Sequence, residues 1–178
     1  MTDDGEWSLL KTEVEYETGW YTAGYDRYRQ PDGSTKKYYW CELQPAAIVV
    51  AKTGNSLVFV EQFRPVVDEK HLELPAGIVE EGEEFTEAAK RELREETGYV
   101  AGELTLLDDY WVATGVLRHR RGIVAASDLK EGERDLQGNE FIQTRTVPIT
   151  DAVEIAREAP TNDASIEGVF LAIDDGFI

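Results

Sequence analysis

The chain has 178 residues, of which 42% are hydrophobic, and this is enough for one domain with a buried core. Its 36 acidic and 18 basic residues give a formal net charge of −18, which argues against binding nucleic acid or an anionic membrane through general electrostatics. The longest clear apolar run, residues 46–51, is too short to cross a bilayer, and the acidic N-terminus lacks a signal-peptide pattern. Since Cys41 is alone and permits no internal disulfide, we expect a cytoplasmic protein.

The acidic excess has two consequences. A phosphorylated substrate is repelled by the overall charge, so bound metal or local Arg side chains must reverse its sign at any such site. Such acidity also resembles proteins of salt-loving organisms, where the Debye length shrinks to about 3 Å at 1 M salt. An unfolding midpoint that stays flat between low and molar salt contradicts this hypothesis.

The N-terminal part is rich in aromatic residues. Residues 7–29 contain six Trp and Tyr side chains together with Thr and Val, a composition that favours strands. Turn-forming residues at 31–34 separate them from another strand-like segment at 36–43, so residues 20–43 are predicted to form a hairpin. The aromatic side chains either pack in a core or form a surface that faces a partner or stacks on a base.

A second hairpin is predicted from two apolar segments, 46–52 and 56–63, joined by Thr-Gly-Asn. Their continuous apolar character is typical of strands that are buried on both faces. Arg64 follows the second of them. Its planar guanidinium suits a phosphate, although pairing with one of the many acids is an equal alternative.

The segment 77–99 has the clearest chemistry. Residues 87–97 are mostly good helix formers, Thr86 is the predicted N-cap, and Gly98 is suited to the left-handed conformation that ends a helix. Three acids then share one helix face and repel each other by about 0.2–0.5 kcal/mol per pair: Glu92, Glu95 and Glu96. A hard dication removes this repulsion, because Mg²⁺ prefers carboxylate oxygens.

The alternative is a solvated helix on the surface of an acidic protein. Arg91, which lies four residues after Glu87 and four before Glu95, is placed to offset part of the repulsion in either case.

The spacing of the whole segment resembles the Nudix box, G-x5-E-x7-R-E-U-x-E-E-x-G-U, where U is a bulky apolar residue. The matching positions are Gly77, Glu83, Arg91, Glu92, Leu93, Glu95, Glu96 and Gly98, with Tyr99 as a mild departure at the last U. The resemblance implies a loop–helix–loop that binds divalent metal and hydrolyses a nucleoside diphosphate linked to another moiety. Glu92, Glu95 and Glu96 would hold the metal, and Gly77, Glu83, Arg91 and Gly98 would support them.

Residues 72–77, Leu-Glu-Leu-Pro-Ala-Gly, resemble the nucleoside-diphosphate-sugar branch of that family. The resemblance implies that the Ala76 carbonyl is a metal ligand, that Glu73 lies near the metals, and that Arg64 contacts substrate. His71 is expected to be a loop histidine rather than a ligand.

Strands are predicted at 104–112, 123–129 and 141–147. Between the first two, Thr114 occupies the slot where ADP-ribose pyrophosphatases usually carry Pro, and four basic residues replace the usual acids. The sequence of these four is Arg118-His119-Arg120-Arg121. They either pair with the acidic surface or form a lid in which Arg118, Arg120 or Arg121 meets the substrate phosphates.

Glu140 best matches the family's loop Glu that orients the attacking water or binds metal, with Glu133 and Asp135 as rivals. Asp151 and Glu154 fit a capping box that opens a helix to about residue 158. Residues 161–166 resemble the start of the branch's terminal helix, with Asp163 expected to be a cap rather than a catalyst.

Together these features predict an α/β protein of α+β type: a single Nudix domain over 1–178, with a β-extension at 1–43, a catalytic core at 44–178 and a mixed sheet between helices. The expected reaction is Mg²⁺- or Mn²⁺-dependent hydrolysis of a nucleoside diphosphate sugar, with ADP-ribose giving AMP and ribose 5-phosphate. The alternatives are a nucleoside triphosphate or dinucleotide polyphosphate hydrolase, a non-catalytic nucleotide sensor, and an acidic cation-binding protein without chemistry. The resemblance also implies a homodimer.

Overall fold

The computed structural model describes residues 6–135 and 141–178. Within them the chain forms two compact units, one of residues 6–44 with 111–120 and the other of residues 45–110 with 121–178. The strands are β1 Ser8–Glu17, β2 Tyr21–Arg29, β3 Thr35–Leu43, β4 Ala46–Thr53, β5 Ser56–Arg64, β6 Glu69–Glu73, β7 Ala76–Ile78, β8 Tyr99–Val100, β9 Glu103–Trp111, β10 Leu117–Arg118, β11 Arg120–Ser127, β12 Lys130–Glu131 and β13 Gln143–Pro148. The helices are α1 Phe85–Thr97, α2 Ala152–Arg157 and α3 Asp163–Asp174.

The first unit is a four-stranded sheet in the order β1-β2-β3-β10. Strands β1, β2 and β3 are antiparallel, so the predicted hairpin at 20–43 is confirmed, and β10 is parallel to β3. Of the aromatic residues at 7–29, Tyr25 is buried, whereas Trp7, Tyr16 and Trp20 are exposed. Trp40 of β3 is also buried.

The second unit is built on a mixed sheet in the order β13-β5-β4-β11-β9, with β6 added to β5 and β7 added to β4. Strand β11 is parallel to β4, whereas β5 and β7 are antiparallel to it. Alternate residues of β4 pack into two different cores. Ala47, Val49 and Ala51 pack with α1, and Ile48 and Val50 pack with α2 and α3. Burial on both faces explains the continuous apolar sequence of this strand and confirms the predicted sheet between helices.

Helix α1 begins at Phe85 with Glu84 as its N-cap, so the prediction of Thr86 as the cap is wrong. The Glu87 carboxylate accepts a hydrogen bond from the Glu84 backbone N–H at 3.0 Å, which favours the earlier start. The predicted C-terminal residue is correct, because Gly98 has a φ of +81° and its N–H donates to the Arg94 carbonyl.

The other two helix starts agree with the prediction only in part. Asp151 is the N-cap residue of α2, as predicted, but within the described residues its side chain makes no capping hydrogen bond, and residues 149–151 form a turn of 3₁₀-helix. Asn162, rather than Asp163, caps α3, since its side-chain oxygen accepts a hydrogen bond from the Ser165 N–H at 2.8 Å. Asp163 is the first residue of the helix.

In the described part of the chain, no helix combines the length and the apolar character needed to cross a membrane.

Candidate active site

The Gly77 backbone and the Glu92 carboxylate are in immediate contact. Gly77 lies in β7, and a Cβ built on it would come within 1.9 Å of Glu92 Cδ and 2.1 Å of its Oε1. Only glycine permits this approach without moving one of the two. The start of the 77–99 segment, at Gly77, therefore lies directly against its middle, at Glu92.

The three helix-face acids lie in one cluster and are largely shielded from solvent. The Glu92 and Glu95 side chains are 13% and 18% exposed, and Glu96 is buried. Glu96 Oε2 accepts a hydrogen bond of 3.1 Å from the Ala76 N–H. The backbone of residues 76–77 thus contacts two of the three carboxylates, those of Glu92 and Glu96.

Arg91 connects this cluster to the preceding loop. Its guanidinium donates to Glu92 Oε1 at 2.6 Å, to Glu95 Oε2 at 3.5 Å and to the Ile78 carbonyl at 2.8 Å. It also pairs with Glu83, which lies eight residues earlier, rather than with Glu87.

The pairing of Arg91 with Glu83 depends on a tight turn. Gly82 has a φ of +82°, and the Glu83 N–H bonds to the Glu80 carbonyl at 3.1 Å, which turns the loop back toward the helix. The hydrogen bond from Arg91 holds the pKa of Glu83 below its ordinary value. Conversely, the bond to Glu83 raises the pKa of Arg91, against the opposing effect of burial, and Glu92 adds to the rise.

The donor set fits a hard divalent cation, although the cluster is not arranged as a finished cation site. Across residues 6–135 and 141–178, no three His, Cys, Asp or Glu side chains already converge as a metal-binding group. Arg91 neutralises part of the charge by bridging Glu92 and Glu95. Carboxylate oxygens and backbone carbonyls are the ligand types that Mg²⁺ and Mn²⁺ take.

A second charged cluster lies on β5 and β6. Arg64 donates to the buried Glu73 carboxylate through Nε at 3.1 and 3.2 Å and through Nη2 at 2.5 Å. Gln62 donates to the same carboxylate at 3.2 Å. Burial opposes the charge of Arg64, but its hydrogen bond to Glu73 and the charges of Glu73 and Glu96 together raise the pKa of the guanidinium. The Arg64–Glu73 pair is therefore electrostatically connected to the three-acid cluster.

The expectation that His71 lies in a loop is wrong, because it is a buried residue of β6. Among the described residues, its two ring nitrogens have no hydrogen-bond partner; Nε2 lies 3.6 Å from Glu69 Oε2 and Nδ1 lies 3.7 Å from Glu73 Oε1. Alternation along the strand places all three side chains on one face. Nothing about His71 by itself indicated a buried strand position. The alternation Glu-x-His-x-Glu at 69–73, which is typical of a strand, was visible in the sequence.

Of the three candidates for the acid that activates the attacking water, Asp135 and Glu133 are among the described residues. Glu140 lies outside the described residues. Asp135 is close to α1, since its N–H donates to the Glu95 carbonyl at 3.3 Å and its carboxylate lies 4.0 Å from Arg94 Nη2. Glu133 is exposed.

The basic residues 118–121 have different partners. In the first unit, Arg118 pairs with the buried Asp26 and stacks on Trp40, with its Cζ 4.0 Å from the ring centroid. The Cζ of Arg120 lies 5.9 Å from the ring centroid of Trp111. In the second unit, Arg121 pairs with α3, at 3.1 Å from Asp163 and 2.8 Å from Glu167. Arg118 and Arg121 therefore each pair with acidic side chains, which is one of the two alternatives that the sequence left open.

Residues 74 and 75, which precede Gly77, are held by hydrogen bonds to α3 and β4 that the sequence did not indicate. The Leu74 N–H donates to the Ser165 hydroxyl of α3 at 3.1 Å, and the Val49 N–H donates to the Pro75 carbonyl at 2.8 Å. Leu74 and Ser165 are 91 positions apart, so no local pattern could reveal their contact.

A cavity of about 420 Å³ opens at the end of α1 and includes Gly98 but none of the predicted metal ligands. Its lining is mostly polar and consists of Thr97, Gly98, Tyr99, Glu131, Gly132, Thr144, Arg145 and Thr146.

The sequence matches the model of the NUDIX domain over residues 42–169, a span that contains both charged clusters. It is 32% identical over 137 residues to the ADP-ribose pyrophosphatase of Bacillus subtilis (strain 168), covering 75% of this chain and 74% of that protein. It is 29% identical over 162 residues to the methanol dehydrogenase activator of Bacillus methanolicus, covering 89% and 88%.

The fold is similar to that in a crystal structure of an ADP compounds hydrolase, with a TM-score of 0.87. The two chains are 22% identical, and the match covers 95% of this chain and 93% of the other. The same arrangement of strands and helices thus occurs in a protein of distant sequence, and this agrees with the predicted fold class.

Proposed function

Since this chain belongs to the Nudix family, we propose that it hydrolyses the pyrophosphate bond of ADP-ribose to AMP and ribose 5-phosphate with the help of Mg²⁺ or Mn²⁺. The observation that carries the proposal is the approach of Glu92 to Gly77 and of Glu96 to Ala76, with Glu95 joined to Glu92 through Arg91. The similarity to an ADP-ribose pyrophosphatase supports this choice of substrate.

We propose that Glu92, Glu95, Glu96 and the Ala76 carbonyl hold the cation. When bound, the cation offsets the charge of the diphosphate, lowers the pKa of the attacking water and stabilises the charge that develops on the phosphoryl oxygens. Arg91 and Glu83 keep the carboxylates oriented through the contacts described above, the role that outer ligands play in metal sites.

Arg64 binds the substrate phosphates in this proposal. The Glu73 carboxylate fixes its guanidinium from one side, which reduces the conformational entropy that Arg64 loses when it binds a phosphate. Its side chain remains 45% exposed. Arg118 and Arg120 are the further candidates for phosphate contacts, and Arg118 would have to exchange its ion pair with Asp26 for the substrate.

Glu140 accepts the proton of the attacking water in this proposal, with Asp135 and Glu133 as the alternatives. A general base must come within hydrogen-bond reach of the water that it deprotonates. Asp135 is supported by its backbone bond to Glu95, and Glu140 by its match to the family pattern.

The proposal is tested by incubating the protein with Mg²⁺ and a panel of ADP-ribose, other nucleotide sugars, dinucleotide polyphosphates and nucleoside triphosphates, followed by product identification. AMP from ADP-ribose above all other products is the expected result. Preferred turnover of a triphosphate or a dinucleotide polyphosphate would replace the substrate assignment while keeping the reaction class. Nucleotide binding without turnover would indicate a sensor, and metal binding with neither would indicate a plain cation-binding protein.

We also propose a cytoplasmic homodimer that binds neither nucleic acid nor membrane. The free Cys41 fits a reducing compartment, and the exposed aromatic residues of the first unit, among them Trp7, Tyr16 and Trp20, are suited to a protein interface. Sedimentation equilibrium tests the dimer, and a monomer at micromolar concentration would exclude it.

A further inference from the structure

We propose that the hydroxyl of Ser165, on the terminal helix α3, is a positioning group for the backbone that presents the Ala76 carbonyl to the cation. This inference rests on the proposed function, because it assigns a purpose to Ser165 only if residues 76–96 bind a metal.

The physical basis is a continuous set of hydrogen bonds along residues 74–76. The Leu74 N–H donates to Ser165 Oγ at 3.1 Å, the Pro75 carbonyl accepts from the Val49 N–H at 2.8 Å, and the Ala76 N–H donates to Glu96 Oε2 at 3.1 Å. Since Pro75 has a fixed φ and no N–H of its own, the backbone that leads into Ala76 is held by the Leu74 N–H and the Pro75 carbonyl. The Ser165 bond fixes the first residue of this set.

The Leu74–Ser165 bond lies in the protein interior. Leu74 is 2% exposed and Ser165 is 1% exposed, so water cannot easily replace either partner. A buried N–H that loses its acceptor carries a large penalty. Without the hydroxyl, the backbone at Leu74 is expected to move toward another acceptor, which displaces Ala76 relative to the helix-face acids.

Helix α3 is held close enough for this contact by two further features. A Cβ on Gly168, one turn after Ser165, would lie 2.6 Å from Leu74 Cδ1, so glycine allows the helix to rest directly on that residue. At the start of the helix, Asp163 and Glu167 pair with Arg121 of β11. The Asn162 side chain also accepts a hydrogen bond from the Ser165 N–H, so both the backbone N–H and the side-chain hydroxyl of Ser165 are held by a hydrogen bond.

Ser165→Ala tests the inference by removing only the hydroxyl. We expect Mn²⁺ to bind about tenfold more weakly, the lower end of the effect of losing an outer partner of a metal site. Binding is measured directly by calorimetry or by the electron paramagnetic resonance signal of free Mn²⁺, without substrate. Hydrogen exchange at the Leu74 amide is expected to become faster, and kcat for ADP-ribose is expected to fall more than KM changes.

The matched control is Thr161→Ala, which removes a hydroxyl hydrogen bond to the Ala156 carbonyl beside the same helix. This variant is expected to lower the unfolding midpoint while leaving Mn²⁺ affinity and Leu74 exchange unchanged. The pair Ser165→Thr and Ser165→Val separates the hydroxyl from volume, because the two side chains have nearly the same shape. Threonine should retain Mn²⁺ affinity and valine should lose it, and this comparison decides the question if the alanine variant does not fold.

Equal Mn²⁺ affinity in wild type and in Ser165→Ala, with only the unfolding midpoint lowered, would overturn the inference and reduce Ser165 to a structural residue. If the wild-type protein binds no Mn²⁺, the proposed metal site is overturned as well. Mn²⁺ binding to the wild type is therefore measured before any variant is compared.

Discussion

The Glu92 carboxylate lies against the Cα of Gly77, where a Cβ would come within 1.9 Å of Glu92 Cδ. Gly77→Ala must therefore displace either the helix-face carboxylate or the β7 backbone. We expect Mn²⁺ affinity and kcat/KM to fall by about 10- to 100-fold with little change in the unfolding midpoint. Gly19→Ala is the control, because a Cβ there meets no atom of the described residues within 4 Å. Equal activity in the two variants would contradict the close contact.

Replacing Glu96 by Gln should abolish turnover while the fold is retained. The change removes a charge from the proposed cation site but keeps an oxygen that can accept the Ala76 N–H. Circular dichroism and the release of AMP from ADP-ribose measure the two effects. Glu87→Gln on the same helix is the control, since Glu87 is exposed and glutamine preserves its capping role. Near-normal turnover by Glu96→Gln would exclude the metal assignment.

The water-activating acid is identified by comparing Glu140→Gln, Asp135→Asn and Glu133→Gln. The variant that lacks the general base should lose about 10²- to 10⁴-fold in kcat while binding Mn²⁺ normally, because the base acts on the proton rather than on the cation. Calorimetry with Mn²⁺ and steady-state kinetics give the two values. An unchanged rate in Glu140→Gln would move the role to whichever of the other two is impaired.

Arg64 and Glu73 should behave as one functional unit. Arg64→Ala is expected to raise KM for ADP-ribose by about tenfold, the loss that corresponds to about 1.4 kcal/mol. Glu73→Gln should produce part of the same effect, because it weakens the bonds that orient Arg64. The double variant should then be less impaired than the sum of the two predicts. Additive losses of binding free energy would show that Glu73 acts independently of Arg64.

The ion pair between Glu83 and Arg91 should make stability depend on pH in a defined window. Because the pKa of Glu83 is lowered in the folded chain, its contribution is complete above the ordinary value of 4.5 and is lost as pH falls through the lower folded-state value. Glu83→Gln should therefore lower the free energy of unfolding by about 1–2 kcal/mol at pH 7. Urea titrations should show this difference shrinking below about pH 4.5.

Glu81→Gln serves as the control for this measurement, because Glu81 is an exposed neighbour in the same loop. A difference between wild type and Glu83→Gln that stays constant down to pH 3 would show that the carboxylate charge is not what stabilises the loop.

The parts of the molecule that could be predicted from the sequence are those set by local periodicity. The apolar segments at 46–52 and 56–63 contain the residues that fill two cores, and the i, i+3, i+4 spacing fixes the common face of Glu92, Glu95 and Glu96. The end of α1 followed from the φ that Gly98 tolerates. These features depend on neighbours a few residues away.

The features that were missed depend on distant or competing partners. Thr86 and Asp163 have good capping side chains, but Glu84 and Asn162 occupy the positions at which the backbone turns. Arg121 was grouped with its basic neighbours in the sequence, whereas its acids lie more than 40 positions away. Burial of His71 likewise depends on the rest of the second unit.

Two guanidinium groups accompany the four carboxylates of the candidate site, Glu83, Glu92, Glu95 and Glu96: Arg91 pairs with the first three, and Arg94 lies 3.5 Å from Glu95. The formal charges of these six groups sum to −2, so a diphosphate that approaches this site without a cation is repelled. If the proposed function holds, cation and substrate are thermodynamically linked, and each must raise the affinity of the other by the same factor. A dissociation constant for ADP-ribose then has a meaning only at a stated concentration of the free divalent cation, and the cation concentration that half-saturates the site must fall as ADP-ribose is added.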